Sequence, residues 1–351
     1  MPVKKTSRTV PPGAVRVPPR RRTGAQAVAR LFKKGQRVAI TTHVNADGDG
    51  CGSEIALWHL LTALRARPVI VNPTPFPDRY RFLLDGMAYA DKSREAVRHL
   101  ERADAIVVLD IADLGRLGHL GRIVGETERP VACVDHHASD GLLPPGPRLV
   151  DETACATGEL IYDLARIAHW QLSEAAARAL YVAILTDTGG FRFSNTSART
   201  LQLAAHLLEH GLEPEDVYTR VYASEPEGRI RMTAEVLETL VVEREHGIAW
   251  VTVPPGSLER HDLDPADLEG VVEFPRSIRG VRLAMLFRVL ANGRIKVSFR
   301  SVGDVDVSRL AEQFGGGGHR RAAGASLEGS LASVQETVLQ AAREVLRSMD
   351  R

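Results

Sequence analysis

Short apolar runs rich in β-branched residues alternate with longer stretches of helical spacing in the first half of the chain. The runs cover residues 37–42, 69–72, 105–110 and 131–135, and helical spacing follows the first of them over 52–66. Strands that alternate with helices in this way form a parallel sheet with crossover helices. We therefore predict an α/β fold in which a parallel-sheet domain with flanking helices is joined by a helical linker to a smaller α/β domain.

The second half of the chain contains two strand-like runs, 281–290 and 294–300, separated by the sequence Ala-Asn-Gly. Asn-Gly between two such runs is a strong hairpin signal. Alternation along the second strand places four polar side chains on one face: Arg294, Lys296, Ser298 and Arg300. The opposite face is apolar and is expected to pack against the core. The polar face is then either a basic binding surface or simply exposed to solvent.

These patterns divide the chain into four predicted regions: a disordered basic tail (1–22), a catalytic domain (23–205), a helical linker (206–243) and a substrate-binding domain (244–351). The tail carries seven Lys or Arg, no acid and several prolines, which favours disorder. The linker follows from helical spacing over 200–212 and 229–243, punctuated by prolines.

Charge and composition narrow the function. The 351 residues are 44% hydrophobic, enough for two cores, and carry a net charge of +1. Without the seven basic residues of the tail, 38 basic residues face 44 acidic ones, a net charge of −6. A body of that sign gains little from counterion release on long nucleic acid, so short substrates are favoured over long duplex DNA. The absence of a long apolar run predicts a cytoplasmic protein that does not bind membranes.

Polar side chains cluster where the predicted strands end, and one more carboxylate follows the apolar run 179–185. They are His43, Asp47, Asp49, Asp110, Asp135, His136, His137 and Asp187. Ligands of parallel sheets bind beyond the carboxyl ends of the strands. A single Asp there is more often a helix cap or turn former. Several carboxylates gathered at one edge, however, repel one another unless cations hold them, so the set predicts metal.

The type of metal follows from the donor atoms. A site rich in carboxylates, with a minority of imidazoles and no thiolate, suits manganese or magnesium better than structural zinc. We predict two Mn²⁺ ions, with Mg²⁺ as the alternative. Two ions that share one carboxylate activate a water and clamp the attacking and leaving oxygens at a phosphorus. Gly48, Gly50 and Gly52 are expected to let the backbone approach the metals and a phosphate.

Four ordered segments resemble the motifs of the DHH phosphoesterase superfamily. They are TTHVNADGDGCGS from Thr41, the lone Asp110, VDHH from Val134 and TDTGGFRFSNT from Thr186. A fifth, GGGGHRRAAG from Gly315, resembles the signature of the DHH-associated substrate-binding domain. The combination is similar to the stand-alone NrnA-type branch, which implies cleavage of very short oligonucleotides and removal of the 3′ phosphate of phosphoadenosine phosphate.

The resemblance also implies a role for each residue of the cluster. One ion would be held by His43 and Asp47, the other by Asp49, His136 and Asp187, and Asp110 would bridge them. His137 would face the scissile phosphate, where it could stabilise charge or protonate the leaving group. Asp135 would orient a neighbouring ligand. The chain has Ala46 where the family usually has proline, which removes no ligand.

The glycine run near the C-terminus is predicted to bind an anion. Four glycines precede His319, Arg320 and a predicted helix at Ala322, so exposed backbone N–H groups would point at the ligand. Five residues are assigned to the terminal phosphate or base of the substrate: Arg300, Ser301, Gly317, Gly318 and His319. A cleft between the domains is expected to limit the length of the substrate.

The predicted reaction is attack by a metal-bound hydroxide on a phosphomonoester, or on the terminal diester of a two-to-five-nucleotide oligomer, with release of nucleoside monophosphates. The enzymatic alternative is a cyclic or linear dinucleotide phosphodiesterase of the c-di-AMP and pApA type. A family II pyrophosphatase shares the metal motifs but is disfavoured by the glycine run. From another class, a catalytically silent nucleotide- or RNA-binding regulator stays open, and the aliphatic helix at 201–212 leaves room for a homodimer.

Overall fold

Residues 15–111, 113–138 and 141–350 are described by the computed structural model of the chain. The chain divides into two structural units, Met1–Ser224 and Glu225–Arg351. The boundary between them falls inside the predicted linker, 206–243. No helix within the described ranges is long and apolar enough to cross a membrane.

The first unit is built on a six-stranded parallel sheet in the order β3-β2-β1-β4-β5-β6. The strands are β1 Arg37–Thr41, β2 Arg67–Val71, β3 Tyr89–Ala90, β4 Ala105–Leu109, β5 Val131–Asp135 and β6 Arg148–Val150. The four predicted runs coincide with β1, β2, β4 and β5, which confirms the parallel α/β fold. β3 and β6 are too short to give a sequence signal of their own.

Helices cover both faces of this sheet. They are α1 Arg22–Ala29, α2 Gly48–Ala63, α3 Ser93–Arg102, α4 Gly121–Glu126, α5 Thr157–Ile167, α6 Glu174–Asp187, α7 Ala198–Leu208 and α8 Pro214–Tyr222. Alternate residues of β1 and β4 pack into two cores, one shared with α2, α5 and α6 and the other with α3 and α4. The apolar run 179–185 lies within α6, which is buried along most of its length.

The second unit has a six-stranded mixed sheet in the order β11-β12-β10-β9-β8-β7. Its elements are α9 Glu227–Glu238, β7 Val241–Glu243, β8 Ile248–Thr252, α10 Ser257–Arg260, α11 Glu273–Arg276, β9 Leu283–Val289, β10 Ile295–Ser301, α12 Val307–Glu312, β11 Gly317–His319, β12 Ala322–Leu327 and α13 Leu331–Met349. The predicted hairpin is confirmed as the antiparallel pair β9 and β10. The predicted helix over 229–243 ends at Glu238, because Val241 and Val242 pair with β8.

The residues after the glycine run form a strand, and the predicted helix at Ala322 is wrong. Ala322–Leu327 is β12, which pairs with β10 on one side and β11 on the other. A Cβ on Gly316 or Gly318 would collide with the backbone of β12, so these glycines allow β11 to lie close beside that strand. Tertiary pairing has overridden the weak helix preference of the two alanines.

The last part of the predicted tail is ordered, so the prediction of disorder over 1–22 fails for residues 15–22. Val15 and Val17 are buried, and Arg21 is only 2% exposed. Three carboxylates of other segments surround Arg21, and their charge explains why a basic stretch folds onto the body. Residues 1–14 lie outside the described part of the chain.

Candidate metal centre

Three neighbouring strands deliver the predicted site residues to one edge of the first sheet. His43 follows β1, Asp110 follows β4, and His136 with His137 follows β5. Because β1, β4 and β5 are adjacent and parallel, their carboxyl ends meet at that edge. Asp110 has a left-handed φ of 58°, which Asp tolerates better than most residues.

Two helices bring the remaining carboxylates to the same edge. Asp47 caps α2 and accepts hydrogen bonds from the N–H groups of Asp49 and Gly50 at 3.0 and 3.1 Å. Asp187 is the last residue of α6, which packs tightly against α2. A Cβ on Gly48 would collide with the Thr186 side chain, and one on Gly52 with the carbonyl of Ala179. These two glycines therefore serve helix packing, in addition to any backbone approach to a ligand.

Six side chains form two groups that share Asp110. In the first, Nε2 of His43 lies 3.5 Å from Oδ2 of Asp110 and 3.9 Å from Oδ2 of Asp47. In the second, Nε2 of His136 lies 3.6 Å from Oδ2 of Asp49, 3.7 Å from Oδ2 of Asp187 and 3.7 Å from Oδ1 of Asp110. The two oxygens of Asp110 thus face different histidines. Three sets of side chains at this edge have the spacing that can hold a metal ion: His43, Asp47 and Asp110; Asp49, His136 and Asp187; and Asp110, His136 and His137.

The hydrogen bonds of the two histidines fit metal ligation. Nδ1 of His43 lies 2.9 Å from the carbonyl of Val44, and Nδ1 of His136 lies 3.3 Å from that of Ala154. Nε2 of each ring is buried and has no hydrogen-bond partner among the described residues. A ligating histidine donates its other ring N–H to a carbonyl in this way, which leaves the free nitrogen for the metal. A buried polar atom without a partner is costly. The two Nε2 atoms are therefore suited to bind a metal cation.

The pKa shifts of the acidic groups reflect the negative charge that is gathered at this edge of the sheet. Burial and the charges of neighbouring carboxylates raise the pKa of Asp49 well above its usual range. Burial also raises the pKa of Asp187, to about 6. Burial would raise the pKa of Asp110 too, but three nearby imidazoles hold it below its usual range. The crowding of carboxylates behind these shifts is a repulsion that divalent cations can relieve.

His137 and Asp135 form a separate pair beside the two groups. Nδ1 of His137 lies 2.8 Å from Oδ1 of Asp135, whose side chain is fully buried. Burial would lower the pKa of His137, but the hydrogen bond to Asp135 and the charge of Asp110 raise it to about 9. Nδ1 of His137 is also 3.6 Å from Oδ1 of Asp110. A carboxylate on Nδ1 favours the tautomer that keeps its proton there.

The sequence prediction missed the residues that hold the carboxylates in place. At the start of α5, the N–H groups of Thr157 and Gly158 donate to Asp49 at 2.5 and 2.9 Å, and the Thr157 hydroxyl donates to Oδ1 of Asp110 at 3.0 Å. Nδ2 of Asn195 donates to Oδ2 of Asp187 at 3.2 Å. A Thr-Gly pair before a helical pattern was the available signal, but nothing in the sequence shows which carboxylate it meets.

In the second unit, the five residues assigned to substrate lie on two strands of the same sheet. Arg300 and Ser301 are on β10, and Gly317, Gly318 and His319 are on β11, with β12 between them. Ala322 is the register partner of both Arg300 and His319. The side chain of His319 lies outside the described part of the structure.

The two β10 residues differ in their contacts. Nε of Arg300 lies 3.2 Å from Oε1 of Glu273, and its guanidinium stays partly exposed. The Ser301 hydroxyl is buried and donates to the carbonyl of Val305 at 2.7 Å. Ser301 therefore offers a ligand no free hydroxyl in this arrangement.

Comparison with known proteins agrees with the fold and the cluster. The chain matches the family models described as DHH family, N-terminal domain, over residues 37–184 and DHHA1 domain over residues 247–348. The chain belongs to the DHH family, in the branch that joins a DHH domain to a DHHA1 domain. Within that branch it is 32% identical over 317 residues to the bifunctional oligoribonuclease and PAP phosphatase NrnA of Thermus thermophilus, covering 88% of this chain and 90% of the relative.

Two further proteins extend this result. The NrnA protein of Bacillus subtilis is 27% identical over 296 residues, 83% of this chain and 89% of the relative. A crystal structure of an exopolyphosphatase-related protein from Bacteroides fragilis superposes with a TM-score of 0.87 at 26% identity, covering 94% of this chain and 98% of that chain. The two-domain architecture is thus the same along almost the whole chain.

Proposed function

We propose that the chain is a dinuclear-metal phosphoesterase that hydrolyses very short oligonucleotides to nucleoside monophosphates and removes the 3′ phosphate of phosphoadenosine phosphate. One observation supports it above the others: the two oxygens of Asp110 face two buried imidazole nitrogens, which have no hydrogen-bond partner in the part of the chain that the structure describes. The names of the T. thermophilus and B. subtilis relatives supply the two activities.

The proposed metal ligands are the six residues of the two groups. His43 and Asp47 would hold one ion, Asp49, His136 and Asp187 would hold the other, and Asp110 would offer one oxygen to each. Mn²⁺ is the proposed metal and Mg²⁺ the alternative, because the donor set is oxygen-rich and lacks thiolate. Two such ions, when bound, would supply an activated water and would neutralise the charge that develops at phosphorus.

The protein's own groups position and move protons. Asp135 accepts a hydrogen bond from Nδ1 of His137, and with the pKa of this ring raised to about 9 the imidazolium form also carries a proton on Nε2, which it would use to stabilise or protonate the leaving oxygen. Thr157 orients the bridging carboxylate through its hydroxyl. In the second unit, Arg300, Gly317, Gly318 and His319 are proposed to bind a phosphate or base, and Ser301 supports the strand that carries Arg300.

A substrate panel tests this function. Purified protein with Mn²⁺ is given phosphoadenosine phosphate, linear dinucleotides, five-nucleotide RNA and cyclic dinucleotides, and the products are resolved by chromatography. We expect nucleoside monophosphates from the dinucleotides and RNA, and adenosine monophosphate from phosphoadenosine phosphate. Turnover of cyclic dinucleotides alone would favour the signalling phosphodiesterase. Binding without turnover of any substrate would favour the silent regulator and contradict the proposal.

A further inference from the structure

A cluster of buried charges lies in the first unit outside the two metal-binding groups. It joins residues that are far apart in the sequence: Arg20, Arg21, Asp151, Glu159, Asp163 and Arg199. Arg21, Glu159 and Asp163 are 2%, 2% and 0% exposed. Three arginines thus face three carboxylates: Arg21 lies in the interior, Arg199 is partly buried, and Arg20 lies at the surface. A buried ionic cluster is seldom the cheapest source of stability, so it calls for a specific role.

The guanidinium of Arg21 sits at the centre of this cluster. Its Nε lies 2.5 Å from Oδ2 of Asp151, and its Nη1 lies 2.5 Å from Oε1 of Glu159 and 2.7 Å from Oδ2 of Asp163. Arg199 reaches the same two α5 carboxylates, with Nη2 at 2.5 Å from Oδ1 of Asp163 and Nη1 on Glu159. The planar, many-donor guanidinium is suited to join several carboxylates at fixed angles.

The carboxylates of the cluster hold the loop 151–158, whose last two residues begin α5, at two points. At its start, Oδ1 of Asp151 accepts from the N–H and hydroxyl of Thr153 at 3.1 and 2.8 Å. Further along the loop, Oε2 of Glu159 accepts a hydrogen bond from the N–H of Cys155 at 2.9 Å. Each of these carboxylates uses one oxygen for Arg21 and the other for the loop. The position of the loop is therefore tied to the guanidinium.

The same loop contacts two members of one metal-binding group directly, His136 and Asp49, and is linked to the third, Asp187, through Asn195. The carbonyl of Ala154 faces Nδ1 of His136, and the N–H groups of Thr157 and Gly158 donate to Asp49. Asn195 bridges the carbonyl of Cys155 and the side chain of Asp187.

The other group is held differently. His43 is oriented by the carbonyl of Val44, and Asp47 by the N–H groups at the start of α2. Within the described residues, no hydrogen bond joins the loop 151–158 to His43 or Asp47. The loop does reach Asp110, which both groups share, but the Thr157 hydroxyl donates to Oδ1, the oxygen that faces His136, and Oδ2 faces His43.

We infer that Arg20, Arg21 and Arg199 are positioning residues for one metal ion only, the ion of the Asp49, His136 and Asp187 group. They act through the loop 151–158, which sets the orientation of those three ligands. A ligand set that is oriented before the ion arrives binds it more tightly than one that must be ordered on binding. The inference rests on the proposed function for the presence of two ions. It adds that their affinities are set by separate parts of the protein.

Titration of metal-free protein with Mn²⁺, followed by isothermal calorimetry, tests this without an activity assay. We expect wild-type protein to bind two ions per chain. In Arg199→Gln, one of the two dissociation constants should rise at least about tenfold, while the other changes less than about twofold. Arg199→Lys should show a smaller rise, since the charge is kept and the fork is lost. The matched control is Arg178→Gln, which breaks a surface ion pair with Glu174 on α6 and should leave both constants unchanged.

A second variant covers the case in which Arg199→Gln fails to fold. Arg20 is 60% exposed on its side chain and pairs with Asp151, so Arg20→Ala should fold normally and weaken the same single ion by about two- to threefold. Equal weakening of both ions, or unchanged binding in a folded Arg199→Gln protein, would overturn the inference. Failure of wild-type protein to bind any Mn²⁺ would instead overturn the proposed function.

Discussion

The metal-binding groups of the first unit and the basic face of β10 in the second are built in opposite ways. Asp49 and Asp110 are each 1% exposed, and their oxygens receive hydrogen bonds from several donors of fixed position. Arg300 is partly exposed and has one carboxylate partner, Glu273, while Lys296 on the same face is exposed. The first region is fixed before a ligand arrives, and the second can adjust to one.

This difference indicates how each region contributes to the reaction. Although Asp47 of the same cluster is half exposed, Asp49 and Asp110 are buried and held in place, and carboxylates fixed in this way favour one arrangement of charge, which suits groups that act on the transition state. An exposed cation contributes similarly to the ground state and the transition state, which affects binding of the substrate more than its turnover. Changes in the first region should therefore lower kcat, and changes in the second should raise KM.

The largest effect is expected from Asp110→Ala, because this carboxylate faces both histidines. We expect kcat/KM to fall about a thousandfold or more, on the order of 4 kcal/mol, with either Mn²⁺ or Mg²⁺. Steady-state kinetics on a dinucleotide measures it. Asp78→Asn, at a carboxylate that is 92% exposed on its side chain, is the control. Wild-type rates in Asp110→Ala would show that the bridging assignment is wrong.

Arg300→Ala should give the next largest effect, and this effect should fall on KM and not on kcat. Loss of one charge-assisted contact is expected to raise KM about tenfold to a hundredfold, or ~1.5–3 kcal/mol, with little change in kcat. The control is Lys296→Ala, four residues before Arg300 on the same face of β10, which should leave KM nearly unchanged. A fall in kcat at constant KM would place Arg300 in the chemical step and remove the contrast between the two regions.

Thr157→Val tests whether the fixed geometry of the first region matters for rate. Removal of the hydroxyl that donates to Asp110 should lower kcat about fivefold, or ~1 kcal/mol. Thr41→Val makes the same isosteric change at a buried hydroxyl whose oxygen has no hydrogen-bond partner, and should leave kcat unchanged. Equal effects of the two substitutions would indicate a packing role for Thr157.

The smallest predicted effect is on stability against pH. In metal-free protein, the pKa of His137 is raised from its ordinary 6.5 to about 9, so the folded state binds this proton more tightly than the unfolded state. That stabilisation is complete below about pH 6.5 and is lost as pH rises through 9. We expect Tm to fall by roughly a few degrees over this range.

His137→Gln provides the control for that prediction, because it removes the titrating group. Its metal-free Tm should be less dependent on pH in the same range. A Tm that rises between about pH 6.5 and 9 in the metal-free wild type would contradict the pairing of His137 with Asp135.

The strands and the clustered carboxylates could be predicted because both depend on local patterns. Runs of β-branched residues mark β1 and β4, and a polar residue at the end of each run lies by necessity at the sheet edge. The partners of those carboxylates could not be predicted. Thr157 meets Asp49 across 108 residues of sequence, and Arg21 meets Asp163 across 142, so only the packed fold brings them together.

The two wrong local predictions have the same origin. A basic, proline-rich stretch is disordered unless the body offers carboxylates, which it does for Arg21. An Ala-Ala pair favours a helix unless neighbouring strands offer hydrogen bonds, which β10 and β11 do for Ala322 and Ala323. In both cases a tertiary partner that no sequence window contains decides the structure.

Metal content and its link to activity test the central claim most directly. Protein stripped with a strong chelator should be folded and inactive, and Mn²⁺ should restore full activity as the content rises to two ions per chain, measured by elemental analysis alongside hydrolysis of a dinucleotide. Full activity in excess chelator, from protein that contains no divalent metal, would contradict the account.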